Sequence, residues 1–223
     1  MANTNDRMDF LVSSSPHMHN GESIPKIMWT VVAALLPATV LAVVFFGWHA
    51  VNVIVVTTVS AVIFEALCQK LRKQPVRIAD GSDVLTGLLL ALNMPPSSPW
   101  WLCIVGSFLA IAICKELFGG LGYNPFNPAL FARVALLISF PTQMTSWSPT
   151  LYIPADAVTS ATPLGLIKEN LLKNGTTGLE MTPQYLWDLL AGNIMGSLGE
   201  TSVLALLAGG IFLIFRGYVN WIL

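Results

Sequence analysis

DGSDVLTGLLLALNMPPSSPWW, residues 80–101, decides how this chain folds. Between its acidic start and its double proline, Val84–Met94 offers eleven largely apolar residues. A helix that crosses hydrocarbon needs about 20. The stretch is too apolar for a solvent-facing helix and too short for a comfortable span. It predicts a short, tilted or re-entrant helix within a membrane protein. Asp80, Ser82 and Asp83 form an acidic cap suited to the positive end of that helix. Composition agrees: of 223 residues, 54% are hydrophobic and only 10% charged, with a mean hydropathy of +0.68. A soluble domain carries about 25% charged residues, so lipid is the solvent to reason about.

Before the short helix stand two long apolar runs, Ile27–Trp48 and Ala50–Leu67. They predict a membrane hairpin with a tight turn near Gly47–Asn52. After it come Trp100–Phe118, opened by a tryptophan pair of the kind found at membrane interfaces, and Pro128–Phe140, ended by Pro141. A polar stretch of 58 residues, 142–199, separates these from a last span, Thr201–Phe215. The expected organisation is a 1–26 N-terminal segment, a 27–141 membrane domain, a 142–199 loop, and a 200–223 helix with its end. The N-terminus lacks an apolar core and does not read as a cleavable signal peptide.

Lysine and arginine set the expected orientation. Lys70, Arg72, Lys73 and Arg77 fall within eight positions, which puts that loop in the cytoplasm. Arg7 and Lys26 then lie on the same side, as does Arg216 after the last span. The 142–199 loop is expected outside. A net charge of −1, with no basic patch interleaved with aromatics, excludes nucleic acid as a partner. Cys68, Cys103 and Cys114 form no CxxC and have no paired histidines, so they read as small buried hydrophobes.

Several segments carry more specific chemistry. In GGLGYNPFNPA (119–129) three glycines permit positive φ, and Asn127 reads as an N-cap with Pro128 at the first helical position. Such a helix end can seat an anion or a polar ring edge. The Asn-Pro-Ala of water channels needs two copies, and only one is found here. Glu65 is an ionisable group near membrane depth and therefore a functional candidate. Lys115 and Glu116, adjacent near a span end, either snorkel or pair. In GSLGETSVLALLAGG (196–210), Gly196, Gly199, Gly209 and Gly210 allow tight packing or a ligand, while Thr201 and Ser202 suit a helix cap.

DAVTSATPLG (156–165) is different. It holds Asp156 and three hydroxyl residues, Thr159, Ser160 and Thr162, with no histidine, cysteine or strong base beside them. Nucleophilic catalysis by Thr162 has no local support. A capping turn on Asp156 or Thr159, or a hydroxyl that accepts a modification, are the two readings left.

Four blocks in order, DGSDVLTGLLLALNMPPSSPWW, KELFGGLGYNPFNPALFARVALLISFP, DAVTSATPLG and GSLGETSVLALLAGG, resemble the family formed by the D subunits of Rnf electron-transport complexes and the B subunits of sodium-translocating NADH:quinone oxidoreductases. The resemblance covers roughly residues 80–210. In that family D-x-x-[ST]-[GS]-A-T is the target of a flavin transferase, which joins the phosphate of FMN to the last threonine. It implies covalent FMN on Thr162, with Asp156, Thr159, Ser160 and Ala161 as recognition residues. Ser160 stands where the commonest form of the signature has glycine. The family flavin is extracytoplasmic, the side that the lysine and arginine count independently assigns to this loop.

By the same resemblance Gly122, Asn124, Asn127, Glu200, Thr201 and Ser202 contribute to the flavin environment, and relatives also hold a noncovalent riboflavin. The implied fold is all-α, with about six membrane segments here: the first repeat, and the start of the second, of an inverted-repeat, urea-transporter-like architecture. The implied role is a subunit of a ferredoxin:NAD oxidoreductase in a bacterial or archaeal cytoplasmic membrane, coupled to Na⁺ or H⁺. Its partners would be the other Rnf subunits, the flavin transferase and lipid, and it would have no catalytic triad or metal of its own. A small-solute channel on the same scaffold is the alternative, and would bind no flavin. The quinone-reducing assignment also remains open, although the short N-terminus and TSATPL form favour Rnf.

Overall fold

A computed structural model describes residues 22–76, 78–152, 163–174, 182–200 and 202–221. All regular structure among them is helical: α1 (Ile24–Phe46), α2 (Trp48–Leu71), α3 (Ser82–Leu92), α4 (Trp100–Phe108), α5 (Pro128–Ser139), α6 (Pro141–Met144), α7 (Pro163–Asn174), α8 (Pro183–Ala191) and α9 (Val203–Phe215). A 3₁₀ turn covers Ile78–Asp80, and α4 continues into a π-helical segment, Leu109–Glu116.

The expected hairpin is α1 and α2, at 23 and 24 residues. At about 1.5 Å per residue each is roughly 35 Å long, enough for a hydrocarbon core of about 30 Å. Few of their residues are buried, and apolar side chains such as Val40, Val55, Val59 and Ile63 stand exposed along them. Soluble core helices do not look like this; helices bathed in lipid do. The turn is tighter than expected. Gly47 alone reverses the chain at φ +60°, and Asn52 already lies within α2. The inward stripe of α2 is small (Ala50, Val53, Thr57, Ala61) until it reaches Glu65 and Gln69.

The decisive short helix is present. At 11 residues α3 is about 16 Å long, half a bilayer. It fits tightly against α2, where a Cβ on Gly87 would come within 2.8 Å of the Thr58 Cα. Ser82 and Asp83 lie inside the helix, and its N-cap is Gly81, in the left-handed conformation and without a side-chain cap bond. Asp80 instead accepts from the Ser82 N–H and hydroxyl, both at 3.0 Å. Together α4 and the π segment make 17 residues, about 25 Å at most, antiparallel to α3. Ser107 on α4 donates to the Thr57 carbonyl at 2.8 Å. Next, α5 returns beside them and ends where Phe140 meets Trp101 edge-to-face at 5.3 Å.

These contacts define two ends. The basic end holds the start of α1, the 70–76 loop, the start of α3 and the end of the π segment. The far end holds Phe46, Trp100 and Phe140. The polar 142–199 stretch is partly structured there. Leu151 N–H donates to the Phe45 carbonyl at 2.8 Å, and the buried Thr150 hydroxyl donates to the Asn193 side chain. From Asn193 the chain dips into the bundle and meets the end of α3. Gly199 N–H donates to Leu92 O at 2.6 Å and Leu198 N–H to Met94 O at 3.1 Å. Asn93 and Met94 N–H groups take the carbonyls of Leu89, Leu90 and Ala91. Every carbonyl at the end of α3 is thereby satisfied without water, as a helix ending at mid-depth requires.

From there α9 runs back to the basic end against α1. Ser202 caps it, accepting from Ala205 N–H at 3.3 Å; Thr201 lies outside the described residues. Gly209 touches α1 so closely that a Cβ would stand 2.3 Å from the Ala34 carbonyl oxygen. Gly209→Val should therefore push α9 off α1 and cost about 1–3 kcal/mol as overpacking, read as a lower melting temperature in detergent. Gly210, with open space around it, should tolerate alanine. Tyr218 closes the α1–α9 pair, donating to Glu22 at 2.6 Å. The Lys26 hydrogen bond, and after it that of Tyr218, hold the Glu22 carboxyl below its usual pKa.

Candidate functional site

At the basic end, α2, α3 and the π segment enclose charge. Lys115 Nζ lies 2.6 Å from Glu65 Oε2, both side chains 2% exposed. The lysine also donates to Ser82 Oγ at 2.7 Å, and that hydroxyl donates to Asp80. Gln69, one turn on, donates to the other Glu65 oxygen at 3.1 Å. The neighbouring Glu116 turns the opposite way: Arg72 reaches its carboxylate at 3.1 Å and its carbonyl at 2.7 Å. Glu65 and Arg72 are seven residues apart, two turns along one face of α2. The π segment thus offers a cation and an anion in succession, and α2 answers each. Lys115 and Glu116 pair rather than snorkel, with different partners.

Glu65 is buried among the helices. Asp83 is fully buried; its Oδ1 accepts from Val84 N–H at 2.8 Å, whereas Oδ2 has no hydrogen-bond partner. The group holds four carboxylates (Glu65, Asp80, Asp83, Glu116) against two cations (Lys115, Arg72). Beside it opens a cavity of about 550 Å³, lined by Glu65, Gln69, Asp80, Glu116 and Tyr123 among others. Among the described residues no three carboxylate, cysteine or histidine side chains converge tightly enough to hold a metal ion. The three cysteines are free thiols, Cys103 and Cys114 buried.

The glycine-rich 119–129 loop forms another wall of this cavity through Gly119 and Gly120. Gly119, Gly120 and Gly122 all take positive φ, between 91° and 122°, which turns the chain from the π segment to α5. Asn124 braces the loop, accepting from Gly122 N–H at 3.3 Å and donating to Phe126 O at 3.0 Å. Asn127 caps α5 as expected, accepting from the N–H groups of Ala129 and Leu130. The backbone donors at this helix end are already in use. Pro128 has no N–H, Asn127 Oδ1 occupies the next two, and Phe131 N–H bonds the Asn127 carbonyl. No free donor is left in the first turn.

The two segments assigned to a flavin environment do not meet. Gly122, Asn124 and Asn127 lie at the basic end. Glu200 and Ser202 lie beside the end of α3, roughly 15 Å away by the length of that helix. Glu200 is exposed and accepts from Ser197 N–H at 3.3 Å. Asp156, Thr159, Ser160, Ala161 and Thr162 fall outside the described residues, so the capping turn on Asp156 or Thr159 does too. Directly after them α7 begins, at Pro163.

Residues 11–223 match the NQR2, RnfD, RnfE family. The chain belongs to that family. Its relatives within it include the D subunit of the proton-translocating ferredoxin:NAD(+) oxidoreductase complex of Clostridium ljungdahlii, 46% identical over 217 residues. The D subunit of the Na(+)-translocating ferredoxin:NAD(+) oxidoreductase complex of Acetobacterium woodii is 47% identical over 217 residues. The D subunit of the ion-translocating oxidoreductase complex of Rhodobacter capsulatus is 42% identical over 223 residues. The alignments cover 95%, 97% and 90% of this chain but 64%, 65% and 62% of those relatives. The chain thus spans a little under two-thirds of their length. Family membership agrees with the lipid-facing hairpin: this is a membrane protein related to subunits of an ion-translocating oxidoreductase.

Proposed function

We propose that this chain is the D-type membrane subunit of an Rnf-type ferredoxin:NAD oxidoreductase, carrying FMN esterified to Thr162. The observation that carries the reading is the signature DAVTSAT at 156–162 within a chain that matches the family over 11–223. Residue chemistry fits the group. Thr162 directly precedes α7, whose first turn holds no acidic residue, and a phosphate beside a helix N-terminus is electrostatically favoured. A covalent tether keeps a flavin on an exposed surface at high effective concentration near its redox partner. The bound flavin would supply electron transfer, and the protein its position and surroundings.

Ion coupling would be served at the basic end, on the cytoplasmic side. There the excess of carboxylate over cation, and the unpartnered Asp83 oxygen, leave room for one more positive charge beside the cavity. Ionisable groups at such depth mark ion or proton paths in membrane proteins. The half-length α3, met at mid-depth by the 193–200 segment, supports the inverted-repeat, urea-transporter-like architecture, in which broken helices line the central site. Relatives that move protons and relatives that move Na⁺ are equally similar to this chain, so likeness does not choose the ion.

The test is expression with and without the flavin transferase, followed by a denaturing gel under ultraviolet light. A fluorescent band only in the presence of transferase supports the reading. A dark band in both refutes it.

A further inference from the structure

Asp83 is the buried carboxylate at the basic end that no cation answers. Its side chain is fully enclosed in the first turn of α3. Oδ1 accepts from Val84 N–H at 2.8 Å, whereas Oδ2 has no hydrogen-bond partner and almost no exposed surface. A water needs room and polar partners to sit beside such an oxygen, and the packing leaves no room. The enclosing atoms belong to the described residues themselves, so nothing packed on the outside of the bundle reaches Oδ2.

The charges around it are committed elsewhere. On the π segment, Lys115 bonds Glu65 and Ser82. On α2, Arg72 bonds Glu116, and on α1 Lys26 bonds Glu22. Lys70 on α2 is exposed, His49 lies at that helix's far end, and Arg133 on α5 makes no bond to Asp83. The 3₁₀ turn brings only another acid, Asp80, and α4 brings no charge. An ionised carboxylate buried without a cation is far more costly than a neutral one, and such a group takes up a proton instead. The Val84 N–H and the positive helix end favour the anion, but weakly beside that cost. A metal cation does not resolve the charge. Oxygen-bound metals take several ligands, and among the described residues no three carboxylate, cysteine or histidine side chains converge.

We propose that Asp83 is a proton-binding site, its side chain a neutral carboxylic acid in the resting protein. The enclosed charges then balance: Glu65 against Lys115, and Glu116 against Arg72. Asp80 is left as the anion within reach of water, partly exposed and lining the cavity. Ser82, next to Asp83 in the chain, joins Lys115 to Asp80, so polar groups lead from this turn of α3 to the cavity. The presence of the proton rests on the packing alone; its use in ion coupling rests on the functional reading above.

Infrared spectroscopy of the intact protein at neutral pH, in a detergent without carbonyl groups, tests the proposal. Wild type should show the C=O stretch of a protonated carboxyl, and Asp83→Asn should lose it. Asparagine has the shape of the neutral acid and keeps an oxygen for Val84 N–H, so the variant should melt at the wild-type temperature. A wild-type spectrum without the band, a band that survives in Asp83→Asn, or a variant that unfolds well below wild type would each overturn the proposal. Neither readout depends on the flavin. In liposomes holding the intact complex, Asp83→Asn should abolish redox-driven ion uptake. Full uptake once the band is gone would overturn the coupling role of the basic end and leave the proton on Asp83.

Discussion

Lys115→Met is expected to destabilise the isolated protein by about 3–5 kcal/mol, the usual consequence of leaving one member of a buried ion pair alone. The lysine is the only cation within bonding distance of Glu65 among the described residues, and it also donates to Ser82. Its removal leaves a buried carboxylate supported by Gln69 alone. The double variant Glu65→Gln/Lys115→Met should recover most of the loss, because replacing both members by neutral groups of similar shape removes the uncompensated charge. Thermal unfolding in detergent, followed by size-exclusion chromatography, measures both. A single variant as stable as wild type would mean the pair is solvated. Exposed pairs such as Lys26–Glu22 are screened by solvent and should matter far less.

Thr162→Val should abolish covalent flavin completely, since no other atom of the residue can form the ester. Thr159→Val and Ser160→Gly should leave the acceptor in place; Ser160→Gly restores the commoner form of the signature and should flavinylate at least as well. In-gel fluorescence, normalised to protein, reads all three. Loss in Thr159→Val but not in Thr162→Val would move the acceptor.

Most of the architecture is legible in the sequence because it depends on local runs and on where they stop. The eleven apolar residues ending at Met94 announce a helix too short to cross, and α3 is that helix. Asn127 and Pro128 announce the start of α5, and the basic 70–77 run places the ends of the helices relative to one another. Other features are hidden because they depend on residues far apart in sequence. Glu65 and Lys115 are 50 positions apart, and nothing local says that a π-helical turn will rotate Lys115 toward α2 and Glu116 toward Arg72. Nor does the sequence reveal that Leu198 and Gly199 complete the hydrogen bonds of α3. GSLGE reads as a helix approach, and its partner lies roughly a hundred residues earlier.

The flavin assignment stands or falls on one atom, the side-chain oxygen of Thr162. Tandem mass spectrometry of the proteolytic peptide containing 156–165, from protein made alongside the flavin transferase, tests it most directly. The expected result is an FMN-sized adduct whose fragments localise to Thr162. An unmodified peptide, or an adduct on Thr159 or Ser160, would contradict the assignment.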